Sequence, residues 1–174
     1  MIRNAMNRIP VLVCLGIMVA VSGYVLAQGA RYLLIDDDED GEEIVVRDVA
    51  CFMEWIREVD NSSGRAWKDA LQFCKNLEYA TKTDWRLPNV TELASLIDEK
   101  QPSDKAPINH YYFKEFDDSR PYWTSTTCPL VGSDGMAYVV VFNPISDSPF
   151  DRGGIDLRNK NNPVCNVICV RDSN

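Results

Sequence analysis

The sequence predicts an α+β domain: two helices packed on a small, mostly antiparallel sheet, with long loops and disulfide staples. Three observations carry this prediction. Two segments repeat apolar residues at helical spacing, several short β-rich runs are bounded by turn residues, and five cysteines follow an N-terminal export pattern. A chain of 174 residues suits one domain of ordinary size. With 45% hydrophobic and 25% charged residues, and only 9 Gly and 9 Pro, the composition excludes wholesale disorder and collagen-like architecture. The formal charge of −8 argues against a general nucleic-acid or anionic-membrane binder. A single histidine, His110, excludes multi-His metal sites.

Residues 1–27 form the export signal, with Arg3 and Arg8 ahead of an uncharged run over 9–27 that ends in small residues. Cleavage after Ala27 gives a mature chain of residues 28–174, read as one domain. The alternative is an uncleaved anchor, because a run of 19 residues is close to the roughly 20 that span a bilayer. Either way the remainder is exported, and the predicted location is secreted, cell-surface or periplasmic. Any membrane contact is confined to residues 9–27. Loss of 1–27 removes two arginines and no acid, which takes the formal charge from −8 to −10.

Apolar runs at 31–35 and 44–46 flank the acidic stretch 36–43, and the second continues toward Cys51, Phe52, Met53 and Trp55. This predicts a hairpin with an acidic turn. Asp36, Asp38 and Asp40 alternate ahead of Gly41 like the first half of a calcium loop, but the twelfth position is Arg47 instead of a bidentate Glu. No metal or other cofactor is therefore assigned.

After the turn cluster at 61–64, Ala66, Trp67, Ala70, Leu71, Cys74 and Leu77 mark the apolar stripe of a first helix, with Trp67 expected in the core. Asn89, with Glu92 three residues on, is a capping-box signature for a second helix whose buried face is Val90, Leu93, Leu96 and Ile97. Residues 98–121 read as a long connection pinned by Tyr111, Tyr112, Phe113 and Phe116. Strands are predicted at 122–126 and 137–142, a long surface loop over 143–163, and a closing strand at 164–171.

In an extended segment Cys165 and Cys169 stand roughly 13 Å apart, too far for a mutual disulfide. Each needs its own partner. The assignment made is Cys74 with Cys169 and Cys128 with Cys165, leaving Cys51 as a free or inter-chain thiol that could exchange roles with Cys128.

Four blocks assembled above resemble a known family: Ala66-Trp67-x-x-Ala70-Leu71-x-x-Cys74-x-x-Leu77; Asp84-Trp85-Arg86-Leu87-Pro88-Asn89-x-x-Glu92-Leu93; Tyr122-Trp123-Thr124-Ser125-Thr126; and Cys169-Val170-Arg171. They resemble the Lcl C-terminal domain family over residues 41–171. The resemblance implies an exported bacterial domain with a C-type-lectin-like fold, in which a disulfide joins the first helix to the final strand. It also implies surface adhesion and, in the family's namesake, binding of sulfated polysaccharides. The Glu-Pro-Asn and Trp-Asn-Asp triplets of calcium-dependent lectins do not occur in this chain. The motif residues have structural work as well, with Arg86 expected to anchor a loop and one of Tyr122 and Trp123 expected to face the core.

The functional expectation is a non-enzymatic binding or adhesion module that recognises a glycan or a surface protein through the 143–163 loop. Asp147, Asp151, Arg152, Asp156, Arg158, Asn159 and Asn161 offer planar hydrogen-bonding groups there, and Phe150 a stacking surface. The alternative is a structural or accessory subunit of a bacterial surface assembly, with a homo-oligomer joined through Cys51 or through exposed tyrosines.

Overall fold

The computed structural model describes residues 30–36, 44–58, 64–98, 100–101, 106–114, 116–130, 135–142 and 154–173. The export segment 1–27, Asp38 and Asp40, and the site candidates Asp147, Phe150, Asp151 and Arg152 lie outside these residues.

Among the described residues, two antiparallel sheets and two helices make up the domain. The first sheet has the order β1 (Tyr32–Asp36), β2 (Ile44–Asp48), β3 (Met53–Ile56) and β7 (Val170–Asp172). The second has β4 (Tyr122–Thr127), β5 (Met136–Val141) and β6 (Gly154–Asn159). The predicted hairpin is β1 and β2, registered from Tyr32 opposite Asp48 to Asp36 opposite Ile44. The apolar run does not continue straight into Trp55, however. Asp48 Oδ1 accepts from Ala50 N at 3.1 Å, and this side-chain turn reverses the chain so that the run resumes as a separate strand, β3.

The first helix, α1 (Trp67–Lys75), buries Ala70 and Cys74 on the predicted stripe. Its N-cap, Ala66, makes no side-chain bond, and the first-turn amide of Trp67 instead donates to Lys160 O at 2.9 Å. The second, α2 (Val90–Ala94), is short and carries the capping box read from the sequence. Asn89 Oδ1 accepts from Glu92 N at 2.9 Å, and Glu92 Oε2 accepts from Asn89 N at 2.8 Å. Leu93 and Leu96 are buried beneath it. Arg86 anchors this corner through two carboxylates, Glu92 at 2.8 Å and Asp172 at 2.8 Å.

The long connection is pinned by Phe113 and Phe116, which are buried, with Phe116 stacked on Tyr122 at 4.2 Å, whereas Tyr111, expected to pin it as well, is largely exposed. Tyr122 and Trp123 are both fully buried, a correction to the expectation that only one would be. The reason is that β4 starts between two layers. Tyr122 joins Phe116 and Phe142, while Trp123 reaches Arg65 O through its indole N–H at 2.7 Å.

Two strand assignments change. The 143–163 loop contains β6, paired residue for residue with β5 from Gly154 opposite Val141 to Asn159 opposite Met136. The closing strand shortens to β7, because residues 165–169 serve as a buried seam between the sheets. Cys165 bridges Arg65, Asn166 bridges Tyr122, and Val170 bridges Arg86. All of residues 165–170 are buried.

The Cys74–Cys169 disulfide forms as assigned, with a Cα separation of 5.5 Å, and ties α1 to the seam. Closing a loop of 95 residues contributes about 4 to 5 kcal/mol in the chain-entropy view. The Cys128–Cys165 pairing does not form; both are free and buried, and Cys51 is free and exposed. Geometry explains this. Cys165 sits beside the start of β4, through the neighbouring Asn166–Tyr122 bridge, whereas Cys128 follows its far end. Tyr122 and Thr127 stand opposite Val140 and Ala137, which are three β5 residues or roughly 10 Å apart, and a disulfide spans at most about 7 Å between Cα atoms.

Candidate functional site

Strand β6 is the outer edge of the second sheet, and it carries four of the sequence-derived candidates or leads directly into them. Asp156 stands opposite Val139 and Arg158 opposite Ala137, so both charged side chains share the sheet face of two fully buried β5 residues. The two are paired to each other, and Arg158 Nη1 also donates to Leu157 O at 3.0 Å. Each keeps a large exposed fraction, 44% for Asp156 and 37% for Arg158, so the pair is open to an incoming ligand. Beneath them lies the Cys165 thiol. Burial pushes its pKa up to about 12, opposed by Arg158, so it stays protonated and inert at neutral pH.

Asn159 and Asn161 have a more structural task than the sequence suggests. Asn159 Oδ1 accepts from Asn161 N at 3.0 Å, and Asn159 O accepts from Asn162 N at 2.9 Å, which closes the turn after β6. That turn is docked on α1 by the Trp67–Lys160 backbone bond, and the Lys160 ammonium lies 4.8 Å over the Trp67 ring. Trp67 is therefore half-buried, with its indole N–H donating to Thr124 O at 2.8 Å and a ring face taken by a cation. The apolar stripe predicts Trp67 in the core, and the Lys160 contact has no local signal because the two residues are 93 positions apart. Ile155 and Val164, 43% and 49% exposed, supply apolar surface on the same strand and beyond the turn.

His110 is exposed on the turn at 110–112. Among the described residues, no group of three or more His, Cys, Asp or Glu is placed to hold a metal ion. No helix among them is long and apolar enough to cross a membrane.

A family model described as the Lcl C-terminal domain matches residues 44–171. The chain belongs to the Lcl C-terminal domain family. No curated protein and no solved structure matches it. The Lcl C-terminal match opens at the start of β2 and ends inside β7, so it takes in both helices, the disulfide and the whole second sheet. Strand β1, with Arg31 and Tyr32, lies outside the matched residues. A disulfide in a domain of this family fits an exported protein.

Proposed function

We propose that the chain is an exported, non-enzymatic binding module with a lectin-like scaffold, which recognises a surface glycan through β6 and the 143–163 segment. The observation that carries the reading is the half-exposed Asp156–Arg158 pair on an edge strand, beside the Lys160–Trp67 stack. A carboxylate and a guanidinium together donate to and accept from vicinal hydroxyls. The disulfide and the buried seam hold that edge in place, which limits the ordering cost of binding. Glycan-array binding by the mature chain is the test. Replacing Asp156 and Arg158 by Ala abolishes binding if the reading is correct, and undiminished binding removes this site. Capture of a surface protein with no glycan on the array moves the ligand to a protein.

A second reading, a subunit of a surface assembly, is favoured by one specific feature. The turn at 49–52 exposes Val49 at 40% and Phe52 at 73% on either side of the free, exposed Cys51. Disulfide-linked multimers that vanish with reductant and with Cys51→Ser support it, and a monomer on non-reducing gels counts against it.

A further inference from the structure

A cavity of about 440 Å³, open on one side, lies where the chain enters β1, and its walls include Arg31, Tyr32, Asp98, Lys100, Asn109 and Tyr112. We propose that this cavity is a second binding site, which takes one or two residues of a neutral saccharide. The proposal rests on the glycan reading above but places the sugar on the first sheet instead of on β6.

The size falls within the range of small-molecule sites, roughly 300 to 1,000 Å³. The walls are fixed before any ligand arrives. Arg31 is held by Asp48 Oδ2 at 2.9 Å through Nε and at 2.6 Å through Nη2, and by Ser95 O at 2.7 Å. Asp98 accepts from Gln101 Nε2 at 2.8 Å and from Lys100 N at 3.1 Å. Asn109 Oδ1 accepts from Tyr111 N at 3.1 Å, which turns the amide Nδ2 into the group left to donate. Pre-ordered polar groups spare a ligand the entropy of arranging them.

The charges select against ions. Arg31 is neutralised by the buried Asp48, and Lys100 stands beside Asp98, whose carboxyl is held below the usual range by its bond from Gln101, with Lys100 and Arg31 also contributing. Among the described residues that line the cavity, neither sign is in surplus. A ligand without net charge meets no penalty, while its hydroxyls find a carboxylate, an ammonium and an amide donor. The walls mix polar groups with the apolar surface of Ala30, Ile97 and the two tyrosines, which suits a ligand with both hydroxyls and C–H faces. The rings complete the match. Tyr112 packs 5.3 Å from Tyr32 and 5.0 Å from Tyr111, and Tyr111 is 69% exposed, so an aromatic step leads from the cavity to the surface for the C–H face of a sugar. Arg31 and Tyr32 precede residues 44–171, the stretch that the family model matches.

The test is a nitrogen-15 NMR titration of the mature chain with the methyl glycosides of glucose, galactose and N-acetylglucosamine. Saturable shifts are expected at the amides of Tyr32, Lys100 and Tyr112 and at the Asn109 side chain. Lys100→Met, at an exposed position, and Asn109→Asp, which keeps the acceptor for Tyr111 N and removes the donor, should each weaken binding about fivefold, the worth of one hydrogen bond. Asp156→Ala should leave these shifts unchanged. Shifts confined to β6 and its turn overturn the second site while the glycan reading stands. No response to any of the three sugars overturns the second site, and the array result on β6 then decides the glycan reading separately.

Discussion

Arg171 donates to Glu54 directly across the β3–β7 register, and both side chains are almost completely shielded from water. Glu54 faces Arg47 on its other side, at 2.9 Å from Nε, and Arg171 reaches on to Asp84 Oδ1 at 2.6 Å. Alternating charges therefore run from β2 through β3 and β7 to the segment ahead of α2. Removing one member of a buried pair strands the other, which costs roughly 3 to 5 kcal/mol when no partner remains. Glu54 keeps Arg47, so Arg171→Met should lower the unfolding free energy by about 3 kcal/mol. Urea denaturation at neutral pH measures it.

The exposed end of that ladder gives a pH dependence. The bond from Arg171 holds the Asp84 carboxyl below its ordinary range, with the local backbone and Lys82 adding to the effect. A carboxylate whose folded pKa is depressed contributes stability that is present above its unfolded value, about 3.9, and is lost as pH falls through the folded value. Wild-type stability should therefore decline more steeply below pH 4 than that of Asp84→Asn. Denaturation midpoints across the acid range give the comparison, and parallel curves would remove Asp84 from the account.

Among the described residues, the three thiols divide by environment. Cys51 is exposed, Cys128 and Cys165 are buried, and burial also raises the pKa of Cys165. A thiol reagent should label one cysteine quickly in native residues 28–174 and three after denaturation without reductant. Two fewer on denaturation would restore the Cys128–Cys165 bridge. Reducing Cys74–Cys169 should cost several kcal/mol, toward the upper part of the ~2–5 kcal/mol range seen when native disulfides are removed.

Legibility in the sequence followed the range of the interaction. The α1 stripe, the Asn89–Glu92 capping box and the rings of the long connection depend on residues close in the chain, and each was readable. Extended geometry denied Cys169 its near neighbour Cys165, and the family resemblance implies its link to the first helix at Cys74. Strand β6 was hidden by its surroundings. Ile155 and Leu157 alternate with Asp156 and Arg158, but a strand of six residues flanked by Gly, Asn and Pro reads as loop until β5 supplies a ladder. The Lys160–Trp67 contact and the Asp48–Arg31–Ser95 cluster join residues from distant segments, and no spacing rule could announce them. The Cys128–Cys165 assignment failed because it placed two cysteines near one strand without asking which end each occupied.

Gly64 is where the seam admits no side chain. A Cβ there would lie 2.1 Å from Pro163 O and 2.7 Å from Val164 Cα, and both are backbone atoms that cannot rotate aside. The backbone bond from Arg65 N to Cys165 O, 2.9 Å, follows immediately, so any retreat of 163–164 pulls on the chain that joins the sheets. Ordinarily Gly→Ala gains about 0.4 to 1 kcal/mol by restricting the unfolded chain. Overpacking costs about 1 to 3 kcal/mol, and here the clash is with backbone, so the cost should win. Gly64→Ala should lower the urea midpoint and speed labelling of Cys165, because the displaced seam is what covers that thiol. A stabilised variant with a slow Cys165 would mean that the 163–164 backbone has room to yield.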